Sequence, residues 1–273
     1  MTISNRRKNV YPPLEKRPMK NTICLFDLDG TLCQEKQLVS PEVHAVLKRL
    51  RQKCAIGFVS GGNLTKQQRQ LSIPSIPVTS LFDFCFAENG LTAFRMGTPL
   101  PGISFVEWMG QKRYNIFINW ILHYIADLDI PVKRGTFVEF RNGNVNISPI
   151  GQGASYEEME EFHQYDEIHS IRKTMIEKLE IQFPATEWGI RYSIGGLTCF
   201  DAFPIGWDKR YCLRHIEAEK DRMGLVFSEI HFWGDMVQEG GNDQEIYEDK
   251  RVIGHAVRDY KDTIKQVNEL FDL

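Results

Sequence analysis

The sequence of 273 residues holds no long hydrophobic run. Its unbroken apolar stretches, such as Ile23 to Phe26 and Ile116 to Ile118, stop far short of the ~20 residues a helix needs to cross a bilayer. A helical membrane protein is therefore excluded. Positive charge is not in excess either: 33 Lys and Arg stand against 36 Asp and Glu, a net −3, which gives no electrostatic ground for a nucleic-acid partner. The six cysteines (Cys24, Cys33, Cys54, Cys85, Cys199 and Cys212) show no CxxC and no zinc-ligand spacing. No apolar h-region follows the basic start. The thiols are expected to be reduced packing groups in a cytoplasmic protein rather than a disulfide framework. Seven histidines show no HxH or HExxH spacing, and no repeat or low-complexity tract interrupts the chain. What remains, 42% hydrophobic and 25% charged, is an ordinary globular composition. Its length suits one large domain or two modest ones.

The start of the chain differs from the rest. Arg6, Arg7, Lys8, Lys16 and Arg17 face only Glu15, among Pro12, Pro13 and Pro18, and residues 1–19 are expected to form a disordered basic tail. Thr22-Ile23-Cys24-Leu25-Phe26, ending at Asp27, suits a strand buried on both faces of a parallel sheet. Ser40-Pro41-Glu42 opens a helix with Val43, Val46, Leu47 and Leu50 at helical spacing. Ala55 to Val59 reads as a second buried strand, closed by Ser60-Gly61-Gly62-Asn63, and Phe82 to Phe86 as a third. From Val106 the pattern changes. Helical stretches at Val106 to Leu128 and Glu157 to Leu179 alternate with two hairpins, around Asn142-Gly143 and Gly195-Gly196. After Trp207 a helix at Tyr211 to Ile216 and a strand at Ile230 to Trp233 restore the earlier pattern. The expected fold is α/β: a Rossmann-like parallel-sheet core of residues 20–103 and 204–273, with an inserted α+β cap domain at 104–203.

Asp27-Leu28-Asp29-Gly30-Thr31 follows the first strand directly. Two carboxylates two residues apart repel unless a cation lies between them, and a hard divalent ion such as Mg²⁺ takes such oxygen ligands. Three further stations follow in order. Ser60, with Gly61, offers a hydroxyl and open amides to a phosphate; Lys209, in Gly206-Trp207-Asp208-Lys209-Arg210, offers a fixed positive charge. Gly234-Asp235 and Gly240-Gly241-Asn242-Asp243 offer further acids for the metal.

Acid pair, hydroxyl, lysine and acid pair, in that order at strand ends, resemble the haloacid dehalogenase-type phosphotransferases. The resemblance implies that Asp27 attacks phosphorus as a nucleophile. Asp29 would protonate the leaving oxygen and later deprotonate the incoming nucleophile. Mg²⁺ and Lys209 would neutralise the phosphoryl oxygens, while Ser60 and Gly61 hold the phosphate in line.

A closer resemblance rests on Lys133-Arg134-Gly135-Thr136-Phe137-Val138-Glu139-Phe140-Arg141-Asn142-Gly143, Ser148-Pro149-Ile150-Gly151, Phe200-Asp201-Ala202-Phe203-Pro204 and Gly240-Gly241-Asn242-Asp243. From about Met19 onward the chain resembles the eukaryotic-type phosphomannomutase family. This implies transfer of phosphate between O6 and O1 of mannose phosphate, feeding GDP-mannose synthesis. It also implies Mg²⁺, a hexose 1,6-bisphosphate primer, and a homodimer formed through the cap. Metal ligation would fall to Asp27, Asp29, Asp235 and Asp243, with Tyr247 and Asp249 in a second cation loop where Val252 replaces a hydroxyl residue.

The cap implied by the resemblance holds a cationic pocket for the distal phosphate. Arg141 matches it, Arg134 lies nearby in sequence, and Asp201 matches a sugar contact. Gln152 and Met159 stand where arginines are expected, Lys36 replaces an arginine, and Cys199 a serine. Two lost arginines remove on the order of 3–6 kcal/mol of charged hydrogen bonding, so altered or weakened sugar-phosphate specificity is expected. Two alternatives stay open: a sugar-phosphate phosphatase or other hexose-phosphate mutase on the same core, and a non-catalytic paralogue.

Overall fold

The computed structural model describes residues 11–34, 37–71, 73 and 76–273. In chain order its strands are β1 (Thr22–Phe26), β2 (Ala55–Val59), β3 (Phe84–Ala87), β4 (Thr92–Arg95), β5 (Thr98–Pro99), β6 (Val138–Phe140), β7 (Val145–Ile147), β8 (Ile190–Gly195), β9 (Cys199–Pro204), β10 (Glu229–Gly234) and β11 (Ile253–Ala256). The chain divides into two compact units, one of residues up to Gly102 with Asp208–Leu273, the other Ile103–Trp207.

The first unit is built on a seven-stranded sheet in the order β11-β10-β1-β2-β3-β4-β5. Its first five strands pair in parallel, and β4 and β5 extend it antiparallel. Every residue of β1 and β2 is buried, which is why these strands carry unbroken runs rather than alternation. Cys24 and Phe26 pack on one face with Ile56 and Phe58, under the helix Pro41–Lys53. Ile23 and Leu25 pack on the other with Phe84, Phe86 and Leu213. Ser40 caps the helix Pro41–Lys53, accepting from the Val43 amide at 3.3 Å, as its sequence signal predicts. From β1 the chain proceeds to β2 on one side, while β10 lies on the other. The carboxyl ends of β1, β2 and β10 therefore meet where the strand order reverses, the place at which open α/β sheets bind ligands.

The second unit carries an antiparallel sheet in the order β6-β7-β9-β8, with helices Gln111–Asp127, Tyr156–His169 and Ile171–Gln182. Val145, Ile147, Phe200 and Ala202 of the two central strands are buried. Among the described residues no helix is long and apolar enough to cross a membrane.

Several expectations need correction. Residues 1–10 of the expected tail lie outside the described residues, but from Tyr11 the segment is packed: Leu14 is 2% exposed and Arg17 3%. Arg17 is drawn in because the buried Asp83 carboxylate accepts from both ends of its guanidinium. The inserted unit runs to Trp207, past the expected 203. Pro204 still pairs with Ile190, and the Trp207 ring lies 5.9 Å from that of Trp108. The stretch read as one helix from Val106 is two, Phe105–Met109 and Gln111–Asp127. That read from Glu157 also divides, at Ser170, which takes a left-handed φ of 52°. All six cysteines are free thiols.

Between β10 and β11, His231 Nδ1 and His255 Nε2 lie 2.9 Å apart. Burial pushes the His255 imidazole down to about 4, and its neighbour His231 adds to this. Burial also lowers His231, against the pull of Glu229. Both folded values lie below the ordinary value, so the unfolded chain binds more protons between about pH 6.5 and 4, and stability falls as pH drops through that window. His255→Gln is expected to flatten the fall in melting temperature between pH 7 and pH 4.5. The difference in slope from the native protein stays under about 1.4 kcal/mol per pH unit, the ceiling set by one proton, and below it because the ring is partly open to water. Identical slopes would show that the histidine pair carries no acid sensitivity.

Candidate active site

Asp27 is the first residue beyond β1, and its amide still donates to the Trp233 carbonyl of β10 at 2.9 Å. This continuation of the parallel ladder leaves its carboxylate at the sheet's carboxyl edge, only 9% exposed. Lys209, 1% exposed, donates from Nζ to Asp27 Oδ1 and to Asp243 Oδ1, each at 2.5 Å. A solitary lysine would be a solvated helix residue; this one is buried between two acids.

Asp243 is fixed from both sides of its loop. Its amide donates to the Met236 carbonyl at 3.0 Å, and its Oδ2 accepts from the Met236 amide at 3.1 Å. Asp235 follows β10, and Thr31 Oγ1 donates to its Oδ1 at 3.3 Å. Two glycines make this closeness possible. Gly30 has φ +83°, and a Cβ there would fall 2.3 Å from Asp235 Oδ2; a Cβ on Gly234 would fall 2.7 Å from Asp243 Oδ2. Any larger residue would push the acids apart.

Carboxylate oxygens of Asp27, Asp235 and Asp243 all lie within 4.8 Å of one another. Burial raises the Asp27 carboxyl to about 6, Lys209 opposing and Asp243 adding to the rise. Asp235 is raised by burial and then by Asp243. Burial alone would lower Lys209, but the two carboxylates outweigh it and hold the ammonium above its usual range. Three carboxylates against one ammonium leave a local charge of −2. The donors are hard oxygens, so the cluster fits a divalent cation of the Mg²⁺ type in both charge and chemistry.

Asp29 stands outside this group. Its Oδ2 accepts from Lys66 Nζ at 2.5 Å and its Oδ1 from Gln70 Nε2 at 2.6 Å. Ser60, 5% exposed, directly follows β2; its amide donates to the Phe86 carbonyl and its Oγ accepts from the Gly62 amide at 3.3 Å. Gly61, beside it, is exposed.

The expected second cation loop looks different. Arg251 grips Asp249 through Nε at 2.8 Å and Nη2 at 2.7 Å, and these hydrogen bonds hold its carboxyl below the usual range. The Tyr247 ring lies across the Gly254 backbone, where a Cβ would fall 2.5 Å from its Cδ2. Asp249 is not among the three carboxylates that lie together. Lys36 lies outside the described residues.

In the second unit, Gln152 Nε2 donates to Asn146 Oδ1 at 2.5 Å and contacts Cys199 Sγ at 3.1 Å. Asn146 Nδ2 donates to Asp201 Oδ1 at 2.7 Å, and burial raises the Asp201 carboxyl. Arg141 lies 3.9 Å from Asp201 but is held more closely by Glu139, at 2.6 Å. Arg134 pairs with Glu158 at 2.5 Å instead of joining this chain of amides. Met159 packs on the small cluster of Ile150, Ala154 and Phe162, so apolar packing accounts for its side chain.

Sequence reasoning passed over Lys66 and Gln70. The only signal was their spacing of one helical turn, just after the Ser60 loop.

The profile described as eukaryotic phosphomannomutase matches residues 43–273. A phosphomannomutase of Schizosaccharomyces pombe is 50% identical over 261 residues, covering 96% of this chain and 98% of its own. One of Saccharomyces cerevisiae is 50% identical over 252 residues, covering 92% and 95%. Among solved structures, a trehalose-6-phosphate phosphatase of Aspergillus fumigatus superposes with a TM-score of 0.59 at 13% identity, covering 92% of this chain and 93% of that one. A haloacid dehalogenase-like hydrolase from Bacteroides thetaiotaomicron gives 0.57 at 12% identity, covering 92% and 99%. At such low identity these structures establish the fold alone.

Proposed function

The chain belongs to the eukaryotic phosphomannomutase family, and we propose on that premise that it interconverts mannose 6-phosphate and mannose 1-phosphate through a phosphoryl group carried on Asp27. One observation carries the chemistry: a buried aspartate at the carboxyl end of β1, held by a buried lysine beside two further acids. An Asp27 oxygen attacks phosphorus, the bond from phosphorus to the sugar oxygen breaks, and an aspartyl-phosphate forms. Asp29 gives its proton to the departing sugar oxygen. In the return step it takes the proton of the incoming hydroxyl, so no proton is gained or lost over the cycle. Lys209, unable to leave its buried position, stabilises the charge on the phosphoryl oxygens. Ser60 and the Gly61 amide orient the phosphate. Mg²⁺, held by Asp27, Asp235 and Asp243, would supply Lewis-acid charge to the phosphoryl group. A hexose 1,6-bisphosphate primes the cycle by leaving one phosphate on Asp27.

Within the inserted unit, Arg134 and Arg141 are assigned to phosphate and Asp201 to a sugar hydroxyl. Both arginines are about half exposed and paired with glutamates. Such surface pairs contribute about 1 kcal/mol or less and yield readily to a phosphate dianion. Gln152, tied to Asn146, offers a neutral amide beside them. We further read the enzyme as a cytoplasmic homodimer joined through this unit, where Ile116, Leu122 and Phe140 expose apolar surface.

Incubation of the protein with mannose 6-phosphate, Mg²⁺ and a catalytic amount of hexose 1,6-bisphosphate is expected to yield mannose 1-phosphate, followed by phosphorus NMR. Omitting the primer should slow the onset about tenfold or more, since turnover then waits for phosphorylation of Asp27. Release of free phosphate in place of mannose 1-phosphate would establish the phosphatase instead, and neither product the non-catalytic paralogue.

A further inference from the structure

The helix Leu64–Gln70 presents Lys66 and Gln70 one turn apart, on one face. Each donates to a different oxygen of Asp29, Lys66 to Oδ2 and Gln70 to Oδ1. From this we infer that Lys66 and Gln70 are positioning residues that clamp the Asp29 carboxylate, Gln70 as the fixed arm and Lys66 as the releasable one. The inference rests on the reading of Asp29 as the proton-exchanging group.

The helix itself cannot drift from the phosphate loop. Asn63 caps it, accepting from the Lys66 amide at 3.0 Å, and Gln67 Nε2 donates to the Gly62 carbonyl at 2.7 Å. The loop of Ser60 and the carboxylate of Asp29 are thus referenced to one element.

The two arms differ physically. Gln70 is 5% exposed, and its backbone carbonyl accepts from the Val39 amide. Its side-chain Oε1 is buried with no hydrogen-bond partner among the described residues. Leaving a buried acceptor unmet is unfavourable. Flipping the amide would bring that oxygen against the Asp29 carboxylate, so the carboxylate dictates the orientation. Lys66 is 43% exposed. Its pair with Asp29 is solvated and weak, and its long stem lets the ammonium swing away.

Proton exchange needs this asymmetry. Lys66 and Gln70 each occupy one of the two accepting sites on an Asp29 oxygen, so the ammonium crowds Oδ2 while the amide holds Oδ1. When Lys66 swings out, Oδ2 is more open to the incoming hydroxyl, while Gln70 keeps Oδ1 in place.

The test uses two phosphoryl donors in single-turnover phosphorylation of Asp27, with the full chain and Mg²⁺. Hexose 1,6-bisphosphate has a sugar leaving group that must be protonated; 2,4-dinitrophenyl phosphate releases a stable anion that needs no proton. With the bisphosphate, Gln70→Leu is expected to slow transfer about tenfold and Lys66→Met somewhat less, a fraction of the 10²–10⁴ that general acid catalysis contributes. The half-saturating concentration should not move, and the rate with dinitrophenyl phosphate should stay within about twofold, because that step bypasses the acid. Lys66→Arg, which keeps the charge, should recover most of the lost rate. Asp29→Asn serves as reference and should show the same selectivity in larger degree. If Asp29→Asn is selective but the clamp variants slow both donors equally, or neither, the clamp is refuted while the role of Asp29 stands. If Asp29→Asn is itself unselective, the role of Asp29 and the clamp fall together.

Discussion

Asp27→Asn is expected to lose phosphoryl transfer by at least about 10⁴-fold, the scale on which removing a covalent nucleophile acts, while the protein remains folded. The amide matches the carboxylate in shape but offers phosphorus no anionic oxygen. Fold stability should hold for an electrostatic reason. Burial raises the Asp27 carboxyl to about 6, so in the folded state without a cation the ionised form is disfavoured relative to the unfolded chain. That penalty is absent below the ordinary carboxylate range and grows as pH rises toward 6. Asparagine removes it, leaving Lys209 with Asp243 at 2.5 Å. In metal-free buffer at neutral pH the variant should therefore melt no lower than the native protein, while turnover of mannose 6-phosphate and the intact-mass signature of a phosphorylated enzyme both vanish. Retained turnover would place the nucleophile elsewhere. A collapse in melting temperature would mean that the ionised Asp27 supports the fold.

Most of the core was legible because its signals are local. Thr22–Phe26 and Ala55–Val59 are strands where their unbroken apolar runs said so, since a strand covered on both faces needs no polar alternation. Ser40 and Pro41 mark the start of their helix by cap chemistry that involves only the next few residues. The breaks at Gly110 and Ser170 were not legible, because apolar periodicity continues across both and only the backbone turns. The burial of residues 11–19 was hidden for another reason. Composition read their arginines as solvated charge, whereas Arg17 finds its partner 66 positions along the chain.

The site divides in the same way. Asp27, Asp235, Asp243 and Lys209 were each placed by a local cue, a strand end or a glycine turn, and topology brings those strand ends together. The bare Asp-x-Asp spacing suggested one shared cation for Asp27 and Asp29. What that spacing did not carry is that the second carboxylate is held by a lysine and a glutamine 37 and 41 residues further along. Asp249 carries no local mark distinguishing a metal ligand from an arginine's partner, and its pairing with the Arg251 guanidinium is not announced by spacing.

The largest expected loss of stability lies far from the reacting groups, at Asp83. Its side chain is 0% exposed and accepts from Arg17 Nη1 at 2.5 Å, Arg17 Nη2 at 2.9 Å, Arg51 Nε at 3.0 Å and the Ile56 amide at 3.1 Å. Two buried guanidinium groups thus share one buried carboxylate. Asp83→Asn keeps the shape but strands both cations, and breaking a buried pair in this way costs about 3–5 kcal/mol. For a chain of this size that corresponds to a fall of roughly 10 °C in melting temperature. The triple variant Asp83→Leu, Arg17→Met and Arg51→Met removes every charge together and should recover much of the loss, because apolar groups of similar volume often replace a buried ion group without penalty. If Asp83→Asn melts like the native protein, water reaches the arginines and the site is not dry. If the triple variant melts lower than Asp83→Asn, the geometry of the ion triad, rather than its charge neutrality, is what fastens residues 11–19 to the sheet.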